Sequence, residues 1–167
     1  MEKKVLSEIA LYYGDVSMPK GFEIDLNKLQ EDILISQINN KKYPFSRTWD
    51  KLNTYIREHV QLEYNINLIN KKTWGHICSP HETTIPLLNS DPVDLRNSPD
   101  YILLYGVNVK DCSVRIHYDD NRRAGRSWDI SLTNNQFIMF PSMQMYYITN
   151  TQKDSLNFIH TITYEFI

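Results

Sequence analysis

Residues 137–150 read FIMFPSMQMYYITN, and the fold turns on this stretch. Phe137 to Phe140 form a short, bulky apolar run of strand type, too short for a helix. Pro141 lacks the N–H that a sheet ladder needs, so Phe140-Pro141-Ser142 makes a hard corner. A second, tyrosine-rich strand leaves the corner, and Tyr146 stands just beyond it.

Outward from this corner the chain is dense in short β-rich runs: TWGHIC, YILLYGVNV, SVRIHY, SWDISL, QFIMF, MYYIT and NFIHTITYEFI. Turn chemistry such as Asp119-Asp120-Asn121 and Asn134-Asn135 separates them. Closely spaced strands with no helices between them imply an antiparallel sandwich or jelly roll. PLLNSDPVDLRNSPD, rich in Pro, Asn and Asp, reads as a long loop on that scaffold.

Before residue 70 the periodicity is helical. Asp25 is placed to cap LNKLQEDILISQINN, where Leu26, Leu29, Ile33 and Ile38 share a face and the asparagine pair Asn39-Asn40 ends the helix. Ser46 is placed to cap RTWDKLNTYIREHVQLEYN, with Trp49, Leu52, Tyr55, Ile56 and Val60 at helical spacing. Such amphipathic stripes must cover a flat apolar surface. The expected organisation is a single domain over 1–167, with a helical part at 1–69 covering a β core at 70–167.

The last strand shows the two faces of that core, because side chains alternate along a strand. Phe158, His160, Ile162, Tyr164 and Phe166 form an apolar face suited to lie under the helices. Ile159, Thr161, Thr163 and Glu165 form a partly polar face suited to line a cavity.

The 167 residues carry 18 basic and 20 acidic groups, a formal net charge of −2. No basic field marks a nucleic-acid partner, so the three Trp and eleven Tyr read as core and sheet residues rather than base-stacking platforms. No apolar run is long enough for a membrane span, and the expectation is a soluble, cytoplasmic protein. Cys78 and Cys112 are expected to be free thiols. No Gly-rich phosphate loop, recognisable Ser/His/Asp context or Cys-x-x-Cys motif occurs.

Two constellations could carry chemistry. In HICSPH, His76, Cys78 and His81 are competent ligands for zinc or iron within one strand and turn, although the spacing is not that of a zinc finger. In SVRIHYDDNRRAGRSW, Arg115, Arg122, Arg123 and Arg126 stand beside Asp119 and Asp120. This reads either as a charge-neutralised, solvated hairpin tip or as Arg115 and His117 projecting inward to hold an anion. His59 and His160 read as hydrogen-bonded structural histidines.

The order of these pieces carries a resemblance. An early strand with Trp74, the Pro80-His81 segment, YILLYGV, IHYDDNR, FIMFPS and a final alternating strand resemble the double-stranded β-helix of small 2-oxoglutarate/Fe(II) oxygenase-like proteins, the hydroxylases common in marine phages. The resemblance spans about residues 70–167, the two helices matching the sheet-covering helices of such proteins. It implies a mainly β (α+β) fold: a double-stranded β-helix (jelly roll, cupin-like) with two N-terminal helices packed on the sheet.

It also implies Fe(II) and 2-oxoglutarate as cofactors, with a protein or small molecule as substrate. Family members hold iron through a His-x-Asp or His-x-His pair and a distal His, and clamp the cosubstrate through an arginine on the last strand. By resemblance His81 is the first ligand, Thr83 falls at the second, and Tyr146 stands at the distal histidine position. Ile159 occupies the arginine position, leaving Thr161 and, from a neighbouring strand, Arg115 as candidate cosubstrate contacts. The candidate metal residues are therefore His81, Tyr146 and His76.

Two functions remain open: a non-haem iron oxygenase with impaired or altered metal binding, and a catalytically inactive jelly-roll binding or structural protein, such as a viral component. A viral protein would work in the host cytoplasm, and an exposed sheet edge permits a homodimer.

Overall fold

The computed structural model describes residues 1–5, 9–38, 43–121 and 124–167. Asn39-Asn40 and Arg122-Arg123, which entered the sequence expectations, lie outside these residues.

The strands form two antiparallel sheets. The larger takes β1 (Tyr12–Asp15), β6 (Gln136–Pro141), β3 (Tyr101–Asn108), β8 (Asn157–Phe166) and β2 (Leu68–Cys78), in the spatial order β1-β6-β3-β8-β2. The smaller takes β5 (Ala124–Leu132), β4 (Cys112–Asn121) and β7 (Tyr146–Asn150), in the order β5-β4-β7. Residues 83–87 extend the small sheet through isolated bridges of Thr83 to Thr149 and Leu87 to Tyr146. From β3 onward, the β4–β5 pair apart, successive strands alternate between the sheets. This is the expected double-stranded β-helix, open at its sides. Every strand expected from sequence is present, β2 starting five residues earlier, at Leu68; β1 was not foreseen.

The Phe-Pro-Ser corner is one of the crossings. Pro141 still pairs with Tyr101, and Ser142, almost fully buried, donates its N–H to Asp100 O at 2.9 Å and its hydroxyl to Pro99 O. Those bonds turn the chain from the large sheet to the small one. Another crossing depends on Asn135, which adopts a left-handed φ of 62°, a region asparagine tolerates better than most residues. Its side chain accepts from the Tyr105 hydroxyl (2.7 Å) and donates to Val16 O (2.8 Å).

Two helices cover the large sheet: α1 (Leu26–Ile38) and α2 (Arg47–Tyr64). The caps are those expected, Asp25 Oδ1 accepting from Lys28 N–H (3.1 Å) and Ser46 Oγ from Trp49 N–H (3.3 Å). Leu29, Ile33, Leu52, Ile56 and Val60 pack into one core with Leu103, Phe158, Ile162 and Tyr164 of the sheet. Ile38 departs from its expected place and is exposed, because it lies on the last turn of α1. The helix approaches closely at Gly75, where a Cβ would stand 2.5 Å from Ile33 Cγ2. Arg57 Nε–H donates to Leu68 O (2.8 Å), and Tyr164 O–H to Asn53 Oδ1 (2.8 Å), so polar bonds also fix the helix layer.

A second core fills the space between the sheets, with Ile102, Leu104, Val114, Ile116, Leu132, Ile138, Phe140, Tyr146, Ile148 and Ile159. The two faces read from β8 are thus real: Phe158, Ile162 and Tyr164 lie under the helices, and Ile159 lies between the sheets. Each fully buried aliphatic side chain contributes roughly 1.5–3 kcal/mol by leaving water.

His160 corrects one expectation. It is completely buried against the Tyr43 ring, at a centroid distance of 4.9 Å, yet neither ring nitrogen has a hydrogen-bond partner among the described residues. Desolvation pushes its pKa down to about 3, so the ring is neutral. His59, by contrast, has the bond expected of it, Nδ1 lying 3.0 Å from Tyr55 O.

Candidate functional site between the sheets

Register decides which side chains face the inter-sheet space. Along β2 and β8 the inward pairs are Cys78 with Asn157, His76 with Ile159, Trp74 with Thr161, and Lys72 with Thr163. Cys78 and Ile159 anchor this assignment, since both belong to the inter-sheet core. A bulge at Lys71 resets the alternation at the end of β2. Lys72 N–H there donates to Thr163 Oγ1 at 3.1 Å.

Tyr146 enters from the opposite sheet. Its backbone exchanges two bonds with Leu87, at 2.9 and 3.0 Å, and its ring packs edge-on against Phe140, 5.2 Å between centroids. The hydroxyl donates to Asn89 Oδ1 at 2.9 Å. The residue is 3% exposed, and desolvation holds its pKa above the ordinary tyrosine value. Tyr146 therefore offers a neutral phenol whose proton is already committed.

Asn89 also lines a cavity of about 260 Å³ at the mouth between the sheets, together with Lys72, Trp74, Asn97 and Thr163. A lysine, an indole and short polar groups converge there. Lys71, which also borders it, is ion-paired with Glu165 across the edge of the sheet.

The candidate ligands divide between inside and outside. Inside are His76, Tyr146 and Thr161. His76 Nε2 is buried without a partner among the described residues, and burial lowers its pKa, opposed by the charge of Glu82, so it is a neutral imidazole. Burial pushes the neighbouring Cys78 thiol up to about 11 and Cys112 up to about 12. Both cysteines are free, as expected.

His81 and Arg115 are not at this site. His81 is exposed in the turn after β2, with φ 55° and its N–H on Gln152 O (3.1 Å), beyond the end of β7 opposite to Tyr146. The five residues of β7 alone separate the two by on the order of 15 Å, at about 3.3 Å per residue. Arg115 lies on the outer face of the small sheet, its guanidinium on the Asp129 carboxylate through Nε (2.8 Å) and Nη2 (3.0 Å). The inward projection of Arg115 and His117 is therefore corrected: Val114 and Ile116 take the inner face.

These residues do not fit the iron and 2-oxoglutarate set that the resemblance implied. His81 is remote from Tyr146, the Tyr146 hydroxyl is bonded to Asn89, and Arg115 is bonded to Asp129. Among the described residues no group of three or more His, Cys, Asp or Glu is placed to hold a metal ion. What the inner surface offers is hydrogen bonding: one unpartnered imidazole nitrogen, threonine hydroxyls, two asparagines and a lysine.

Sequence alone does not single out Asn89, Lys72 or Trp74 as residues of this site. PLLNSDPVDLRNSPD reads as a long loop, and no periodicity inside it singles out Asn89. Lys72 and Trp74 share the inner face with Thr163 and Thr161 only once the β2–β8 register is known.

No protein-family model matches the chain, and no curated protein matches its sequence. Solved structures do resemble it. A prolyl-4-hydroxylase from Pseudomonas putida superposes with a TM-score of 0.65 at 10% identity, over 93% of this chain and 87% of that one. The viral collagen prolyl hydroxylase of Paramecium Bursaria Chlorella virus-1, in its 2OG complex, gives 0.63 at 11% identity over 92% and 94%. The epimerase SnoN, in complex with Fe3+, alpha ketoglutarate and nogalamycin RO, gives 0.62 at 8% identity over 93% and 78%. At these identities the likeness is one of fold.

Proposed function

We propose that this chain is an oxygenase-like protein of the 2-oxoglutarate/Fe(II) hydroxylase class in which metal binding is impaired and the space between the sheets serves for binding rather than turnover. The observation that carries this reading is the Tyr146–Asn89 hydrogen bond. By resemblance Tyr146 stands at the distal histidine position, and there a buried neutral phenol holds a neighbouring side chain. Such a phenol would have to lose its proton against a raised pKa before it could ligate iron.

Anaerobic titration with Fe(II) and 2-oxoglutarate tests the proposal, because a ligand of the native state raises the melting temperature with its concentration. The expected result is no shift with either at about millimolar concentration, and no succinate formed in air. A shift together with succinate production that disappears in Tyr146→Phe would overturn it.

A second reading, altered rather than impaired metal binding, is favoured by one observation, the buried and unpartnered Nε2 of His76. It predicts a metal-dependent rise in melting temperature lost in His76→Gln. Under either reading the occupant is a small molecule or a protein segment. A phage origin, with action in the host cytoplasm, belongs to the same proposal and is supported only by the Asn-, Ile- and Lys-rich composition and by the marine phage resemblance.

A further inference from the structure

The outer face of the small sheet is built unlike an ordinary solvated face. Its register lays side chains in rows across the three strands and the bridged segment at Thr83. One row runs Asp129, Arg115, Tyr147, and the next runs Ser131, Ser113, Thr149, Thr83. His117, paired with Ser127, stands at the head of the first rows, its ring edge-on to Tyr147 at 5.1 Å. All of these but Ser127 and Ser131 border a concavity of about 490 Å³.

Three properties distinguish this face. Long flexible lysines and glutamates, the usual solvent-facing residues, are replaced by short hydroxyl side chains that lose little rotamer freedom when they bind. Arg115, a long side chain in these rows, is fixed by its two-point bond to Asp129, and Thr83 Oγ1 and Thr149 Oγ1 lie 3.2 Å apart. The two charges cancel where they meet. A phosphate or carboxylate would have to compete with Asp129 for the guanidinium, and a cation with Arg115 for the carboxylate.

Hydrogen-bonding capacity nonetheless remains. A guanidinium has five N–H donors and a carboxylate about four lone-pair sites, and the pair uses two of each. Donors and acceptors therefore lie side by side, next to a half-buried aromatic ring. A vicinal diol, in which each hydroxyl both gives and takes a hydrogen bond, matches that pattern while its C–H face lies on Tyr147. We propose that the outer face of the small sheet binds a neutral polyhydroxylated ligand, a saccharide, at Arg115, Asp129, Tyr147 and the Ser113–Thr149–Thr83 row. None of these residues belongs to the inter-sheet pocket, so the proposal stands or falls apart from the one made for that site.

The test is titration of the 15N-labelled full chain with three neutral trisaccharides, maltotriose, cellotriose and chitotriose, and with glucuronate as the anionic control. Amide shifts are expected at Ser113, Arg115, His117, Tyr147 and Thr149 with at least one trisaccharide, with a Kd of about 1 mM or tighter. Arg115→Gln and Thr149→Val, both on the exposed sheet face, should each weaken binding by about tenfold or more while the spectrum stays dispersed. Tyr147→Leu, which retains apolar bulk, should do the same by removing the ring. No shift on this face with any of the three, undiminished binding in all three variants, or tighter binding of glucuronate than of every trisaccharide would each overturn the proposal.

Discussion

Tyr146 and Asn89 are joined by a 2.9 Å hydrogen bond that ties the first residue of β7 to the loop leaving residues 83–87. Removing the hydroxyl leaves the Asn89 carbonyl short of its donor at the mouth of the cavity. Tyr146→Phe should lower stability by about 0.5–1.5 kcal/mol, the net worth of such a bond. Urea unfolding with an unchanged slope and a lower midpoint would register it. A variant as stable as the parent would show that the bond contributes nothing.

His160 makes acid stability legible. Its folded pKa lies near 3, below the ordinary value of 6.5, so at intermediate pH the unfolded chain binds a proton that the folded chain does not. Stability from this residue is complete above about 6.5 and is lost as pH falls from there toward 3, at up to about 1.4 kcal/mol per pH unit. His76, also lowered, adds in the same direction. His160→Leu should flatten this acid limb in unfolding curves measured between pH 7 and 4. It should cost little at pH 7, because the ring nitrogens it removes have no hydrogen-bond partner among the described residues.

Two glycines differ in what they must avoid. A Cβ at Gly106 would stand 2.1 Å from Thr133 O, a backbone atom, whereas one at Gly75 would meet the Ile33 side chain at 2.5 Å. Both alanine variants should lose about 1–3 kcal/mol by overpacking, Gly106→Ala the more, because a backbone crossing cannot rotate away. Pairing Gly75→Ala with Ile33→Val should recover part of its loss. Melting temperatures of the four proteins decide the point.

Cys78 and Cys112 are buried, with thiol pKa values pushed up to about 11 and about 12. The thiolate is the reactive form, so native protein at pH 8 should react with a disulfide reagent only as fast as it opens. Both thiols should titrate at once in denaturant. Rapid reaction of either thiol in the native state would place it at the surface instead.

Patterns of period two and period 3.6 made the fold legible, since they report which side of an element is apolar. The β8 alternation separated the helix-covered core from the inter-sheet core, and the caps at Asp25 and Ser46 located both helices. The site was legible only where it lay on a strand of known face. Tyr146 follows a proline corner that fixes its place, and it does point between the sheets. Arg115 and His117 carried no such marker: a one-residue change of parity turns a strand's whole side-chain set over. His81 was placed at the first ligand position by resemblance, and the turn after β2 carries it out of the large sheet and away from His76. Short β1, only four residues long, was invisible because it has no pattern of its own and exists through pairing with β6.

That four-residue strand protects the FIMF run. Tyr12 to Asp15 occupy the flank of β6 from Gln136 to Met139, leaving a strongly apolar strand an interior position instead of an open border. Without the N-terminal segment, Phe137, Ile138 and Met139 would present bare peptide groups to any other extended chain, and apolar strands exposed in that way are where proteins polymerise. The closing of that flank of β6 thus falls to a stretch more than a hundred residues away in the sequence.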